Sequence, residues 1–238
     1  MSGTLEVVGA GMQFIALDSP GTDSVVKIPR PSDRPVPSGR ERFLPSAWRK
    51  YVGRRLRDRN RKAWLERVKK IIQRISDDPS LLIDDYFLET CVDNQIDVSW
   101  NWDGRLMRYR GWGLVQRKVE RYCKTRTALD TVDWQTIVDI QKKLWREGVG
   151  LGMETDAWGP GGWGVTEDGK TRLGDLGCLV DDQELVAEML SEPVRESRRI
   201  ILMRLQPPET KQYVAEYLSF VSDHLNEETL SRTWRRDC

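Results

Sequence analysis

Hydrophobic residues alternate with polar ones in short runs near the start of the chain and recur at helical spacing further on. Three runs, at residues 5–8, 14–17 and 25–29, are separated by glycines and turn residues. Their two-residue period predicts a small antiparallel meander of strands. Residues 47–75 then carry apolar side chains partly at helical spacing, and a second helix is predicted over residues 81–92.

Strands return in the middle of the chain and helices follow to its end. Asp103-Gly104 predicts a two-residue hairpin between strands at 98–102 and 105–109, and residues 111–119 predict one more strand. The 3.6-residue period predicts helices over 134–146, 182–190, 194–205, 208–224 and 227–235. A small sheet followed by a mainly helical half predicts an α+β protein.

Composition adds two constraints. The chain has 238 residues and a formal net charge of +1, so bulk charge alone does not predict a partner. Four cysteines show no paired spacing, which favours reduced thiols and a cytoplasmic protein over a disulfide framework or a zinc site. No apolar run approaches the roughly 20 residues of a membrane span, so none is predicted.

The stretch from Asp156 to Gly177 has the most specific pattern in the chain. An acidic residue opens it, and Asp175-Leu176-Gly177 closes it. Between them, the Asp168-Gly169 turn is flanked by short apolar runs and predicts a β-hairpin. An acidic hairpin with a chance Asp-Leu-Gly is the alternative interpretation of this stretch.

Two further features, a glycine-containing turn and a lysine in a predicted strand, lie near the start of the chain. Gly9 and Gly11 lie in a turn where backbone amides could approach phosphates without a Cβ clash. Lys27 follows in the strand Val25-Val26-Lys27-Ile28. A plain hairpin and a solvent-facing lysine are the alternatives to a phosphate-binding role.

Together these motifs resemble the protein-kinase-like fold, and in size the chain is similar to small bacterial kinase-like proteins such as the PhoP-regulatory-network family. The resemblance implies a two-lobed kinase-like fold. Its N-lobe, residues 1–120, would hold a small antiparallel sheet and an inserted basic helix. Its C-lobe, residues 121–238, would be short, mainly helical, and carry the catalytic hairpin.

The resemblance also implies ATP and Mg²⁺ as ligands. Gly9 and Gly11 would lie against the phosphates, and Lys27 would bind them while pairing with a helix glutamate. Glu66 is preferred to Glu41 as this glutamate, and an intrahelical pair of Glu66 with Lys62 or Lys70 is the alternative to that role. The backbone near Glu120 would bind adenine.

The catalytic roles implied by the resemblance fall on two aspartates. Asp156 would accept the proton of an acceptor hydroxyl, on a protein or a small molecule, and Asp175 would hold Mg²⁺. Gly161 and Gly162 occupy the place of a second metal ligand, an asparagine, and no Ala-Pro-Glu follows. A pseudokinase or scaffold that binds nucleotide or a partner without transfer is therefore the first alternative.

Residues 49–74 form a strongly basic segment in which only Asp58 and Glu66 are acidic. Tyr51 and Trp64 interleave with its lysines and arginines. Such a helix favours binding of nucleic acid or of an acidic protein, against the alternative of a solvated charged face. This is the second alternative function.

Overall fold

The computed structural model describes residues 4–10, 14–18, 21–29, 58–77, 90–102, 104–117, 121–122, 132–152, 158–159, 162–165, 169–174 and 176–234. These residues form two compact units, one between residues 4 and 117 and the other between residues 121 and 234. Within the described ranges, none of the helices combines the length and the apolar character that crossing a membrane requires.

Among its described residues, the first unit consists of a five-stranded barrel and one helix. Its elements are β1 (Thr4–Ala10), β2 (Phe14–Asp18), β3 (Ser24–Pro29), α1 (Asp58–Asp77), β4 (Thr90–Trp102) and β5 (Arg105–Arg117). The strands follow one another around the barrel in the order β1-β2-β3-β5-β4. The predicted meander of three strands is confirmed, and Asp103-Gly104 does join two strands, with Gly104 at φ +75°.

Period-two alternation explains the barrel interior. Every second residue of the strands points inward, so each strand presents an apolar face to the others. The buried interior consists of Leu5, Ile15, Leu17, Val26, Ile28, Ile96, Val98 and Trp100. Gly113 leaves space in this packing, because a Cβ there would lie 2.9 Å from the Lys27 carbonyl oxygen and 3.1 Å from Ile96 Cγ1.

Closure of the barrel overturns the predicted two-lobed kinase-like fold, whose N-lobe sheet would be open. β1 pairs with β2 on one side and, in parallel, with β4 on the other, where Thr4 is opposite Ser99 and Leu5 opposite Trp100. β4 and β5 are thirteen residues long, and an irregularity between Asp93 and Ile96 bends β4. The long, bent β4 thus pairs with β1 and closes the sheet. The predicted two-lobed kinase-like fold is therefore wrong, and only the general α+β class is correct.

Two local predictions are also corrected in the first unit. The helix predicted over residues 81–92 is wrong at its end, because β4 begins at Thr90. Residues 105–109 and 111–119 were predicted as separate strands, yet β5 runs without a break from Arg105 to Arg117. Gly111 therefore lies within a strand and does not separate two strands.

The second unit combines two small sheets with five helices among its described residues. Its elements are β6 (Arg121–Tyr122), α2 (Trp134–Arg146), β7 (Gly150–Leu151), β8 (Trp163–Val165), β9 (Thr171–Leu173), β10 (Leu179–Val180), α3 (Gln183–Leu190), α4 (Glu192–Leu205), α5 (Pro208–His224) and α6 (Glu227–Thr233). β6, β8 and β9 form one sheet, and β7 pairs with β10 in the other. The predicted helices are confirmed, with ends that differ by at most two residues.

Asp133 determines where α2 begins. Its carboxylate accepts hydrogen bonds from the backbone N–H groups of Gln135 at 2.9 Å and Thr136 at 3.2 Å, and from the Thr136 hydroxyl at 2.7 Å. These bonds satisfy N–H groups that have no partner within the helix. They lower the pKa of Asp133, chiefly through the Thr136 side chain.

We predict that Asp133→Ala lowers the free energy of unfolding by about 1 kcal/mol at pH 7, because two backbone donors lose their acceptor. The folded pKa of Asp133 lies below its ordinary value of 3.8. Its stabilisation is therefore present above about pH 4 and is lost as the pH falls through the lowered folded pKa. Urea unfolding at pH 7 and pH 3 measures the difference.

Asp139→Ala, at an exposed position of the same helix, is the matched control and is expected to change stability by no more than about 0.5 kcal/mol. An equal loss for both variants, or a loss for Asp133→Ala that does not change with pH, would contradict this account of the cap.

Candidate functional site

Lys27 lies in β3 on the outer face of the barrel. Its neighbours Val26 and Ile28 are buried in the interior, so the alternation of a strand turns Lys27 the other way. Ala16 on β2 and Leu114 on β5 are opposite Lys27 and share its face. Leu114 is fully buried and Lys27 is half-buried, which places the aliphatic stem of the lysine against an apolar surface.

Gly9 lies in the same row of the sheet as Lys27. Gly9 is opposite Ala16, and Ala16 is opposite Lys27, so the row crosses three strands. At the usual strand spacing, the Cα atoms of Gly9 and Lys27 are about 10 Å apart. The register of β1 shifts between Val7 and Gly9, so the strand is irregular here. Gly9 therefore shares a row with Lys27 but lies within strand β1, so its predicted place in a turn is wrong, while the predicted Gly11 lies outside the described residues.

Glu66 lies on α1 and is half-buried. Burial raises the pKa of Tyr109 on β5, and the charge of Glu66 raises it further, so the two side chains are near neighbours. The Tyr109 hydroxyl donates a hydrogen bond to the Trp112 carbonyl at 2.7 Å. The predicted pairing of Glu66 with Lys27 stays a prediction.

Helix α1, which contains the described part of the basic segment, is amphipathic. α1 packs on β4 and buries Leu65, Val68, Ile71, Ile72 and Ile75. Lys69 lies with its Nζ 5.5 Å from the centre of the Trp112 ring, a cation–π distance. Arg67, Lys70 and Arg74 are exposed. This helix therefore has one apolar face against the barrel and one basic face toward solvent.

In the second unit, β7 precedes Asp156 in the sequence, β10 follows Asp175, and the two strands pair with each other. Gly150 is opposite Val180 and Leu151 is opposite Leu179. The ladder continues where the Gly152 N–H donates to the Cys178 carbonyl at 2.6 Å. These backbone bonds bring together the outer ends of the stretch that the sequence singled out.

The predicted hairpin inside that stretch is confirmed. β8 pairs with β9 through Trp163 opposite Leu173 and Val165 opposite Thr171, and Gly169 has φ +78°. One bond beyond the hairpin, the Gly174 N–H donates to the Gly162 carbonyl at 2.9 Å. The inner ends of the stretch are thus also held together. β7, β8, β9, β10 and these backbone bonds are called the hairpin frame below.

Trp158 is the buried centre of this region. Its indole Nε1 donates to the Gly152 carbonyl at 2.8 Å, and its own carbonyl accepts from the Tyr217 hydroxyl at 3.3 Å. The guanidinium carbon of Arg198 lies 4.3 Å from the centre of the Trp158 ring. Trp158 thereby connects the hairpin frame to α4 and α5.

Tyr217 and Arg198 were missed by sequence reasoning. Both lie within helices that the periodicity predicts, and nothing in the local pattern distinguishes them from other polar residues there. Arg198 precedes Arg199, Ile200 and Ile201, a run in which an exposed arginine would be ordinary. Their contacts to Trp158 depend on how the helices pack, which the spacing does not specify.

Three predicted site residues, Glu120, Asp156 and Asp175, lie outside the described residues. Gly162, at the place of the absent second metal ligand, is buried. Among the residues that the structure does describe, no cluster of three or more histidine, cysteine, aspartate or glutamate side chains is arranged to hold a metal ion.

No family model matches the chain, and a search of curated proteins finds no similar sequence.

Gly150 provides a test of the hairpin frame. A Cβ at this position would lie 2.5 Å from Cγ2 and 3.1 Å from Cγ1 of Val186 on α3. Because β-branched valine is stiff and fully buried, it cannot turn aside. We predict that Gly150→Ala lowers the free energy of unfolding by about 1–3 kcal/mol, measured by urea unfolding.

The double variant Gly150→Ala with Val186→Ala should recover part of this loss, since the second change removes both clashing methyl groups. A double-mutant cycle, with Val186→Ala as the matched single variant, measures the coupling. Additive effects of the two substitutions would show that the contact between β7 and α3 is not as described.

Proposed function

We propose that this chain binds a magnesium–nucleotide complex and transfers a phosphoryl group to a hydroxyl acceptor. The observation that supports the proposal is the hairpin frame, which holds both ends of the chain stretch containing Asp156 and Asp175. Phosphoryl transfer relies on positioning and charge neutralisation, so a rigid support for two carboxylates is the feature it needs most.

In this proposal the two aspartates have different roles. Asp175 binds Mg²⁺, and Asp156 accepts the proton of the acceptor hydroxyl as the phosphoryl group is transferred. Mg²⁺ favours oxygen ligands and keeps several waters, so one carboxylate with the nucleotide phosphates suffices for one ion. With glycine at the place of a second ligand, we propose that a single Mg²⁺ is used.

In this proposal, residues of the barrel bind the nucleotide phosphates. The row that joins Gly9 to Lys27 combines a backbone with no side chain and an ammonium group, both suited to phosphate oxygens. Gly11, Glu66 and Glu120 keep their predicted roles toward the nucleotide. Because the four cysteines show no paired spacing and ATP is a cytoplasmic metabolite, we propose that the protein acts in the cytoplasm.

We predict that ATP with Mg²⁺ raises the Tm of the wild-type chain and that ATP alone does so much less. A ligand at 100 times its Kd stabilises by about 2.7 kcal/mol. Asp175→Ala should lose the Mg²⁺-dependent part, since the metal ligand is gone. Thermal unfolding followed by tryptophan fluorescence measures this, with exposed Glu184→Ala as the matched control.

Absence of any shift would contradict nucleotide binding altogether. An unchanged shift in Asp175→Ala would place the metal elsewhere in the chain. Lys27→Met is tested in parallel and should weaken ATP binding with little change in the Tm of the unliganded chain.

Transfer itself is tested with γ-labelled ATP, wild type and Asp156→Asn. We predict label transfer to water or to an added hydroxyl compound by the wild type, and a loss of about 10²–10⁴-fold in the variant, the usual contribution of a general base. Retained nucleotide binding with no transfer by either protein would instead identify a nucleotide-binding protein without catalysis.

A second function is favoured by the polarity of α1. Its basic face is exposed while its apolar face is buried against the barrel, so this surface is available for polyanions. We propose that it binds nucleic acid through phosphate contacts. Lys70→Glu with Arg74→Glu should weaken binding of a labelled single strand and reduce its salt dependence, whereas Gln73→Glu should have a smaller effect.

Equal binding by wild type and by the double charge-reversal variant would contradict this second proposal. Binding of an acidic polypeptide, with none of nucleic acid, would assign the same face to a protein partner.

A further inference from the structure

Arg198 is a buried cation that forms no ion pair with a carboxylate among the described residues. It is 94% buried in α4, since its relative exposure is 6%. Within the part of the chain that the structure describes, its Nη1 has no hydrogen-bond acceptor. Its guanidinium carbon lies 4.3 Å from the centre of the Trp158 ring, which supplies a π face and no acceptor atom. A charge buried in this way costs stability unless something else pairs with it.

A second arginine adds a further positive charge near Arg198. Arg195 lies one turn earlier on α4, and its Nε is buried and, among the described residues, has no acceptor. Its Nη1 lies 3.8 Å from Glu192, whose side chain is 80% exposed, so this ion pair compensates little. Burial, and to a smaller extent the charge of Arg195, lower the pKa of Arg198 to about 9, which still leaves it charged at neutral pH.

Both arginines line a cavity between α4 and α5. The cavity has a volume of about 310 Å³, within the roughly 300–1,000 Å³ range of small-molecule pockets. Trp158, Leu218 and Val221 supply an apolar wall. A buried donor, a second donor beside it and an apolar wall are the features of a pocket that recognises an organic anion.

The charges around the cavity narrow the class of anion. Glu196 is bound by Arg199 through two hydrogen bonds of 2.8 Å, so these two side chains compensate each other. Glu192 and Asp223 remain among the lining residues as negative charges. They would repel a dianion such as phosphate more than a monoanion. A planar carboxylate also matches the geometry of a guanidinium group.

We propose that the cavity between α4 and α5 binds a small organic monocarboxylate. Its carboxylate accepts hydrogen bonds from Arg198 and Arg195, and its hydrocarbon part packs against Leu218 and Val221. The ligand supplies a counter-charge that the described residues do not provide to Arg198. The proposal goes beyond the proposed function, because none of the residues that line the cavity is a predicted ligand of nucleotide or metal.

Benzoate is the probe, and benzamide is its neutral counterpart of nearly the same shape. We expect benzoate to raise the Tm of the wild-type chain in a saturable way, beyond the effect of sodium chloride at equal ionic strength. Benzamide should have little effect, because it lacks the charge that Arg198 requires. Equal shifts with benzoate, benzamide and chloride would overturn the proposal using the wild-type chain alone.

Arg198→Met removes the charge and keeps most of the side-chain volume. We expect it to weaken benzoate binding by about tenfold or more, measured by calorimetric titration, since a charge-assisted hydrogen bond is lost. Arg204→Met, at an exposed position of the same helix, should bind benzoate as the wild type does. Unchanged affinity in Arg198→Met would overturn the proposal.

The stability of the unliganded variant separates binding from a structural role. A binding-site arginine without a counter-charge is a cost to the empty protein, so Arg198→Met should have a Tm equal to or higher than that of the wild type. If Arg198 serves only to support Trp158, its removal should lower the Tm and leave benzoate affinity unchanged, a result that would overturn the proposal.

Discussion

The buried indole of Trp158 is the interaction on which the second unit depends. Its Nε1 donates a hydrogen bond to the Gly152 carbonyl, and the backbone carbonyl of Trp158 accepts one from the Tyr217 hydroxyl on α5. A buried tryptophan that donates its one N–H and also accepts through its carbonyl is fixed in both position and orientation. The hairpin frame and the cavity beside Arg198 therefore share one support.

The barrel rests on a different constraint, the closure of its hydrogen-bonded ladder. An open sheet of five strands would leave β1 and β4 with unpaired edges, which favour pairing with other chains. The parallel bonds from Thr4 and Leu5 to Ser99 and Trp100 remove that exposure. Closure also encloses Trp100, the largest side chain of the interior, and leaves the outer face of β3 to carry Lys27.

Local features of the fold could be predicted from the sequence because neighbouring residues specify them. The helices follow from apolar spacing, and the Asp103-Gly104 and Asp168-Gly169 turns follow from residues that accept positive φ. Closure could not be predicted, because a parallel pairing between residues 4–5 and 99–100 has no turn to mark it. The resemblance to kinases also predicted an open sheet, in which β1 and β4 would not pair.

The candidate site, too, could be predicted from the sequence only in part. The hairpin was predicted from its turn and Lys27 was predicted in a strand, whereas Gly9, predicted in a turn, lies within β1. Trp158, Tyr217 and Arg198 could not be assigned, because their roles arise from the packing of α4 and α5 against the hairpin frame. A buried arginine differs from an exposed one only through its surroundings, and those are distant in sequence.

The central claim is that the hairpin frame held by Trp158 supports magnesium–nucleotide binding. Isothermal titration of the full chain with ATP and Mg²⁺, comparing wild type with Trp158→Phe, tests it most directly. Phenylalanine keeps the apolar bulk but leaves the Gly152 carbonyl without its donor. We predict binding by the wild type and a clearly lower affinity in a variant that still folds. No binding by the wild type, or equal affinity in both proteins, would contradict the account.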